Sequence, residues 1–275
     1  MGLINATITN TISRGFGKIA SKEFPSVIQL GINKLYTTIT GVDLSSFQPH
    51  SHYPTLNALF TRELRFKREF SLDPKMIISP CDSKISAQGI IEATDALQVK
   101  GHAYSVRDFL TKSISQENFE RLIKGVFINF YLSPMDYHRY HVPMDMRVKK
   151  VVHVPGLLYP VNFKYLQKVP SLFVKNERVI LECYDSSDKL FYIVLVGALN
   201  VGKMTLSFEP AIQTNLDTKK VSVYDYTDVH LKKGDELGMF MMGSTIVMLF
   251  ENDTVEPEDK NQKSVRFGEV VAKKL

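Results

Sequence analysis

Cysteine is scarce in this chain of 275 residues: Cys81 and Cys183 stand far apart and lack the spacing of a metal-ligand pair. They offer neither a disulfide framework nor a zinc signature, which points to a reducing compartment and two ordinary buried thiols. Long apolar runs are missing too, for no stretch reaches the roughly eighteen uncharged apolar residues of a spanning helix. The opening "MGLINATITNTISRGFGK" has neither the uninterrupted apolar core nor the small-residue cleavage site of a secretory signal. Internal repeats, low-complexity tracts and the Gly-x-Ser-x-Gly elbow of ordinary serine hydrolases are absent as well. The expectation is a chain that does not cross a membrane, binds no metal and has no nucleic-acid partner.

What is present suits one large domain, or one domain with an appendage, since 44% of the residues are apolar. The net charge of +5 is uneven. Residues 1–68 hold Arg14, Lys18, Lys22, Lys34, Arg62, Arg65, Lys67 and Arg68 against Glu23, Asp43 and Glu63, so this segment alone carries the whole excess. Its apolar residues recur at helical spacing: Ile4, Ile8, Ile12, Phe16 and Ile19, then, after Phe24-Pro25, Ile28, Ile32, Leu35, Tyr36 and Ile39. Two amphipathic helices follow, either packed on their own core or lying in a lipid interface with Arg14, Lys18 and Lys22 over anionic headgroups. A polar joint, "SSFQPHSHYP", precedes a short helix in "TLNALFTREL".

From about Ile77 the period becomes that of strands. Val126 to Leu132 and Phe191 to Leu199 are short apolar runs, "RVKKVVHV" and "KMTLSFE" alternate, and "KKGDE" marks a turn. The class expected is α+β: N-terminal helices over residues 1–68, then a mainly antiparallel β sandwich or barrel over 69–275. The charged last fifteen residues read as a surface tail or an edge strand.

Three islands carry candidate chemistry. In "ISPCDSKI", Asp82 sits in a turn-like cluster, where aspartate ordinarily bonds its own backbone. In "YLSPMDYHRYHVP", His138 and His141 stand three apart, two of only seven histidines, without a third metal ligand at a family-like spacing. In "GMFMMGSTIVMLFEND", Gly243-Ser244-Thr245 interrupts an apolar strand, as a bend or as a reactive hydroxyl. Asp, His and Ser could form a nucleophilic triad, but almost any chain contains all three, and the residues alone leave the choice open.

The ordered set of islands, from "YPTLNALFTREL" through "SPCDSKI", "VKGHAYSV", "FYLSPMDYHRYHVP", "VPGLLYPVN" and "LFVKNERV" to "KKGDELGMFMMGSTIVMLF", closely resembles the pyruvoyl-dependent phosphatidylserine decarboxylases. It departs in two places: Met242 stands where the family usually has Leu, and Ser83 where it has Gly after the aspartate. The resemblance implies that Asp82, His141 and Ser244 form a triad cutting the chain between Gly243 and Ser244, into a large chain 1–243 and a small chain 244–275. Ser244 then becomes a covalent pyruvoyl group, an electron sink for decarboxylation, and His138 assists that later step. The implied reaction turns membrane phosphatidylserine into phosphatidylethanolamine and carbon dioxide, on the cytoplasmic face of the cell membrane. Implied partners are the lipid and the small chain, with a homodimer left open. Rival readings are a hydrolase with an uncut Ser244, a soluble pyruvoyl amino-acid decarboxylase, and a non-catalytic module suggested by the "KKGDELG" turn of biotinyl and lipoyl barrels.

Overall fold

The computed structural model describes all residues except 1–14, 16, 93–95, 100–101, 162–164, 166–167, 170, 200–202, 213, 216–219 and 242–243. Most of the first helical stripe therefore lies outside the described residues, as do Met242 and Gly243.

The second stripe forms helix α1, Ser26–Thr40, closed by Gly41 in the left-handed region at φ 77° with its N–H on the Thr37 carbonyl. Its sidedness is inverted. The residues it buries are polar: Gln29, Asn33 and Thr37. Asn33 Nδ2 donates to the carbonyls of His50 and Tyr53, each at 2.9 Å, Gln29 Nε2 donates to Asn33 Oδ1 at 2.7 Å, and the Thr37 hydroxyl meets His50 Nε2 at 2.8 Å. Val27, Ile28, Leu35 and Ile39 face outward, between 54% and 81% exposed. The stripe expected to pack against this face, Ile4 to Phe16, lies outside the described residues. The joint folds as a 3-10 turn, His50–His52, and α2, Leu56–Phe60, follows, with Thr55 Oγ1 accepting from the Ala58 N–H at 3.0 Å.

Sixteen strands follow among the described residues: β1 Met76–Ile78, β2 Ser83–Ile90, β3 Ala96–Val99, β4 His102–Ser105, β5 Val126–Leu132, β6 Arg139–His141, β7 Met146–Val154, β8 Arg178–Asp185, β9 Leu190–Val196, β10 Met204–Leu206, β11 Ser222–Leu231, β12 Glu236–Phe240, β13 Ser244–Phe250, β14 Val255–Pro257, β15 Ser264–Val265 and β16 Val270–Lys274. Short helices α3 Val106–Leu110, α4 Gln116–Leu122 and α5 Leu172–Lys175 punctuate them. The largest sheet has eight strands in the order β11-β7-β8-β9-β13-β5-β2-β15, and its neighbours pair antiparallel. The α+β class stands, and the antiparallel core is an open sheet rather than a closed barrel, with β11 and β15 as its two edges.

The continuous apolar runs mark strands covered on both faces. β13 is one, with all seven residues buried between β9 and β5. Ser244 begins it, opposite Leu132 at the end of β5. A second sheet, β10-β12-β6, brings β12, the strand before the Gly-Ser-Thr triplet, alongside the strand that carries His141. The last residues are not a tail: β15 is an edge of the large sheet, while β16 is the middle strand between β1 and β14, with Val271 and Ala272 fully buried.

Candidate active site

The turn after β5 organises the site. The Ser133 N–H and hydroxyl both donate to Asp136 Oδ2, at 2.7 and 2.8 Å, which fixes the bend "SPMD". Burial pushes the Asp136 carboxyl upward in pKa, against the pull of those two bonds. His138 follows, fully buried under the Phe60 ring of α2, with ring centroids 3.9 Å apart. Its Nδ1 lies 2.8 Å from the Asp136 carbonyl, which only accepts, so Nδ1 carries the proton and Nε2 is bare. Nε2 is buried without a hydrogen-bond partner. Burial, with the nearby Arg62 charge, pushes this imidazole down to about 3, so its resting form is neutral.

His141, at the end of β6, is set in the same tautomer. Nδ1 donates to the Gly234 carbonyl at 3.1 Å and Nε2 accepts from the Tyr137 hydroxyl, also at 3.1 Å. Its ring stacks on Phe267 at 3.7 Å. Burial holds it down at about 4, opposed by the Gly234 bond and by the charge of Asp82. Gly234 belongs to the "KKGDE" turn at φ 86°, and a Cβ there would stand 2.1 Å from the Phe70 ring, so a larger residue would disturb the carbonyl that orients His141.

Asp82 lies beside His141 without bonding it. Its carboxylate is held by the Arg68 guanidinium on both oxygens and accepts the Phe267 N–H at 2.8 Å. The two residues therefore flank Phe267, one on its backbone and one on its ring, and the His141 N–H reaches the Pro80 carbonyl at 2.7 Å. A bidentate charge-assisted pair with arginine outcompetes a neutral imidazole for the carboxylate. The hydrogen bonds that orient His141 thus come from Gly234 and Tyr137, where the sequence reading expected Asp82.

Ser244 is fully buried, and its Oγ has no hydrogen-bond partner. Both ends of its segment are tied to the histidine turn: upstream the Phe240 N–H donates to the His138 carbonyl at 2.9 Å, and downstream Ser244 pairs with Leu132. A buried hydroxyl left unbonded costs about 1–3 kcal/mol and calls for a reason. The site thus holds a buried nucleophilic oxygen without a bond and two neutral imidazoles with Nε2 available or capped by a hydroxyl. Within hydrogen-bond reach of one another, such groups can move a serine proton and let its oxygen attack a carbonyl.

The profile of a family described as phosphatidylserine decarboxylase matches residues 56–273. A protein of Helicobacter pylori named phosphatidylserine decarboxylase proenzyme is 43% identical over 267 residues, 96% of this chain and 97% of that one. Proteins of the same name from Campylobacter jejuni and Coxiella burnetii are 40% and 32% identical, each over 94% of this chain and over 97% and 92% of their own lengths. The chain belongs to the phosphatidylserine decarboxylase family. Within it, the Ser83 departure is harmless to the backbone: Ser83 enters β2 opposite Val265 and is not among the residues with positive φ, so nothing there demands glycine. Arg68, Tyr137, Gly234 and Phe267 are the residues around Asp82 and His141 that motif reading missed. Tyr137 stood inside a quoted motif and Gly234 inside a recognised turn, whereas Phe267 gave no signal beyond one aromatic among charges.

Proposed function

We propose that this chain is a phosphatidylserine decarboxylase that matures by cutting itself between Gly243 and Ser244 and converts phosphatidylserine to phosphatidylethanolamine. The observation that carries the reading is Ser244 Oγ, buried without a hydrogen bond at the head of a central strand. The oxygen attacks the Gly243 carbonyl while an Nε2 takes its proton, and the peptide bond becomes an ester as the nitrogen leaves as an amine. Elimination across Ser244 then frees the Gly243 carboxylate and leaves a dehydroalanine, which hydrolyses to a pyruvoyl group and ammonia. His141 is the base: its tautomer leaves Nε2 as acceptor, and it exchanges the Tyr137 hydroxyl for that of Ser244. Asp82 acts on it through charge and through Phe267.

The residues at this position fit a pyruvoyl group. The strand pairs β13–β5 and β13–β9 continue to its first residues, and β14, β15 and β16 are also woven into the sheets, so residues 244–275 stay in place after a cut. When formed, the group supplies an electron sink for the leaving carboxylate. His138 Nε2, bare and neutral, takes a proton from the substrate ammonium and returns it to the α-carbon once carbon dioxide has gone.

The outward apolar face of α1 and the basic excess of residues 1–68 support a peripheral seat on an anionic, cytoplasmic bilayer surface. Among the described residues no helix is long and apolar enough to cross a membrane. Intact mass measurement tests the processing. Two chains, 1–243 and 244–275, with the second bearing a hydrazine-reactive carbonyl, are expected, and Ser244→Ala is expected to stay whole. A wild-type chain that remains in one piece would favour the uncut hydrolase instead.

A further inference from the structure

Among the described residues two arginines are buried, and they are satisfied very differently. Arg178, 3% exposed, donates from Nε, Nη1 and Nη2 to four backbone carbonyls, those of Phe109, Val174, Asn176 and Asp108. Arg62, 2% exposed, donates from Nη2 alone, to the carbonyls of Met135 at 2.9 Å and Asp136 at 3.0 Å, and lies 4.5 Å over the Phe47 ring. Its Nε and Nη1 are buried with no hydrogen-bond partner. The acids around it are engaged elsewhere: Asp136 takes its bonds from Ser133, and Asp82 from Arg68 and Phe267.

A desolvated guanidinium with two idle nitrogens and no carboxylate bonded to it is costly, and an arriving anion lowers that cost. Arg62 lines a cavity of ≈ 480 Å³, a size suited to a lipid headgroup. Arg65 and His52 line it too, while its one acid, Glu63, is spent on Arg139 at 2.8 Å, a residue that Glu236 also engages. What remains uncompensated there is positive.

We propose that Arg62 anchors the phosphodiester of the lipid headgroup, its Nε and Nη1 donating to the two non-ester oxygens in the forked geometry that guanidinium favours. The inference rests on the decarboxylase reading and deepens it, because it names the group by which a lipid, and not free serine, is held. The same guanidinium grips the turn that leads into His138, through the Asp136 carbonyl that both side chains share.

The test measures binding rather than turnover. Dihexanoyl-phosphatidylglycerol, a soluble diester without serine, is titrated into the full chain by calorimetry, beside dihexanoylglycerol, which lacks the phosphate. The diester is expected to bind about tenfold or more tighter than the uncharged lipid, Arg62→Gln to weaken the diester by about thirtyfold or more, and Arg62→Lys to recover part of that loss. Competition by inorganic phosphate supports a site that takes phosphate as such; failure to compete supports one that requires the lipid ester. Equal affinity for both lipids, or an equal loss for both in Arg62→Gln, would mean that Arg62 only braces the turn, and would overturn the proposal. Should Arg62→Gln fail to fold, the two lipids on the wild-type chain still decide. A chain that binds the diester through Arg62 yet never cuts itself would sink the processing reading alone, and a chain that cuts itself but ignores the diester would sink this one alone.

Discussion

At the scale of single residues, the two histidines share a tautomer and differ in what faces Nε2, and their proposed roles separate along that difference. His141→Ala is expected to leave the chain uncut on an intact-mass spectrum, whereas His138→Ala is cut and then turns over more slowly by about 100-fold or more, the usual worth of a positioned proton carrier. If the two variants behave alike in both assays, the division of labour is wrong. Their depressed pKa values also bear on stability. Both are held neutral in the fold, at about 3 and about 4, while an unfolded histidine titrates near its ordinary 6.5. Acidification therefore protonates the unfolded chain first, and stability, full above about pH 6.5, drains as pH falls toward those folded values. Each histidine removes about 2 kcal/mol between pH 6.5 and 5, read as a falling urea midpoint, and His138→Gln should flatten that slope. A midpoint that holds constant down to pH 5 would contradict the buried, neutral assignment. Asp82, His138, His141 and Ser244 could be proposed from the sequence because each stands in a short motif. Arg68 and Phe267 could not, because they reach the site across 14 and 185 residues of chain, as the partners of Asp82, and their pairing is a product of the fold.

At the scale of elements, periodicity found α1 and could not tell which face it would bury. A helix whose stripe reads Ile28, Leu35, Ile39 would ordinarily turn that stripe inward, yet Asn33 and Gln29 take the interior because two loop carbonyls and His50 satisfy them there. Only the position of the 50–53 turn decides this, and a helical wheel has no access to it. The double variant Leu35→Glu, Ile39→Glu should thus leave the unfolding free energy from urea titration within about 0.5 kcal/mol of wild type, since both sites are exposed, while weakening partition onto anionic liposomes by about tenfold or more. A large loss of stability would mean the stripe is packed. Strands fared better: the apolar runs at Val126 to Leu132 and Phe191 to Leu199 correspond to β5 and to β9, Leu190–Val196, the two neighbours of the strand that Ser244 begins. Of the final residues β15 is the edge strand expected, whereas β16 was hidden because Lys273 and Lys274 follow Val271 and Ala272, which it buries on opposite faces. α1 also touches the chemistry, through the Tyr36 hydroxyl, which donates to the Pro134 carbonyl at 3.1 Å in the turn ahead of His138.

At the scale of the whole molecule, the segment after the proposed cut contributes one strand to the middle of the large sheet, one to its edge and two to a smaller sheet. On a sizing column at neutral pH residues 244–275 should co-elute with residues 1–243, and separate only with denaturant. A small chain that drifts off in plain buffer would show that the sheets do not retain it. The N-terminal helix has a parallel effect on handling. Hidden amides and displayed hydrocarbon make bulk water a poor solvent for that surface, so in a detergent-free stock copies will shield Val27, Leu35 and Ile39 against one another. The apparent particle size will then follow the additive in the buffer, and adding lipid will dissolve the clusters rather than build them.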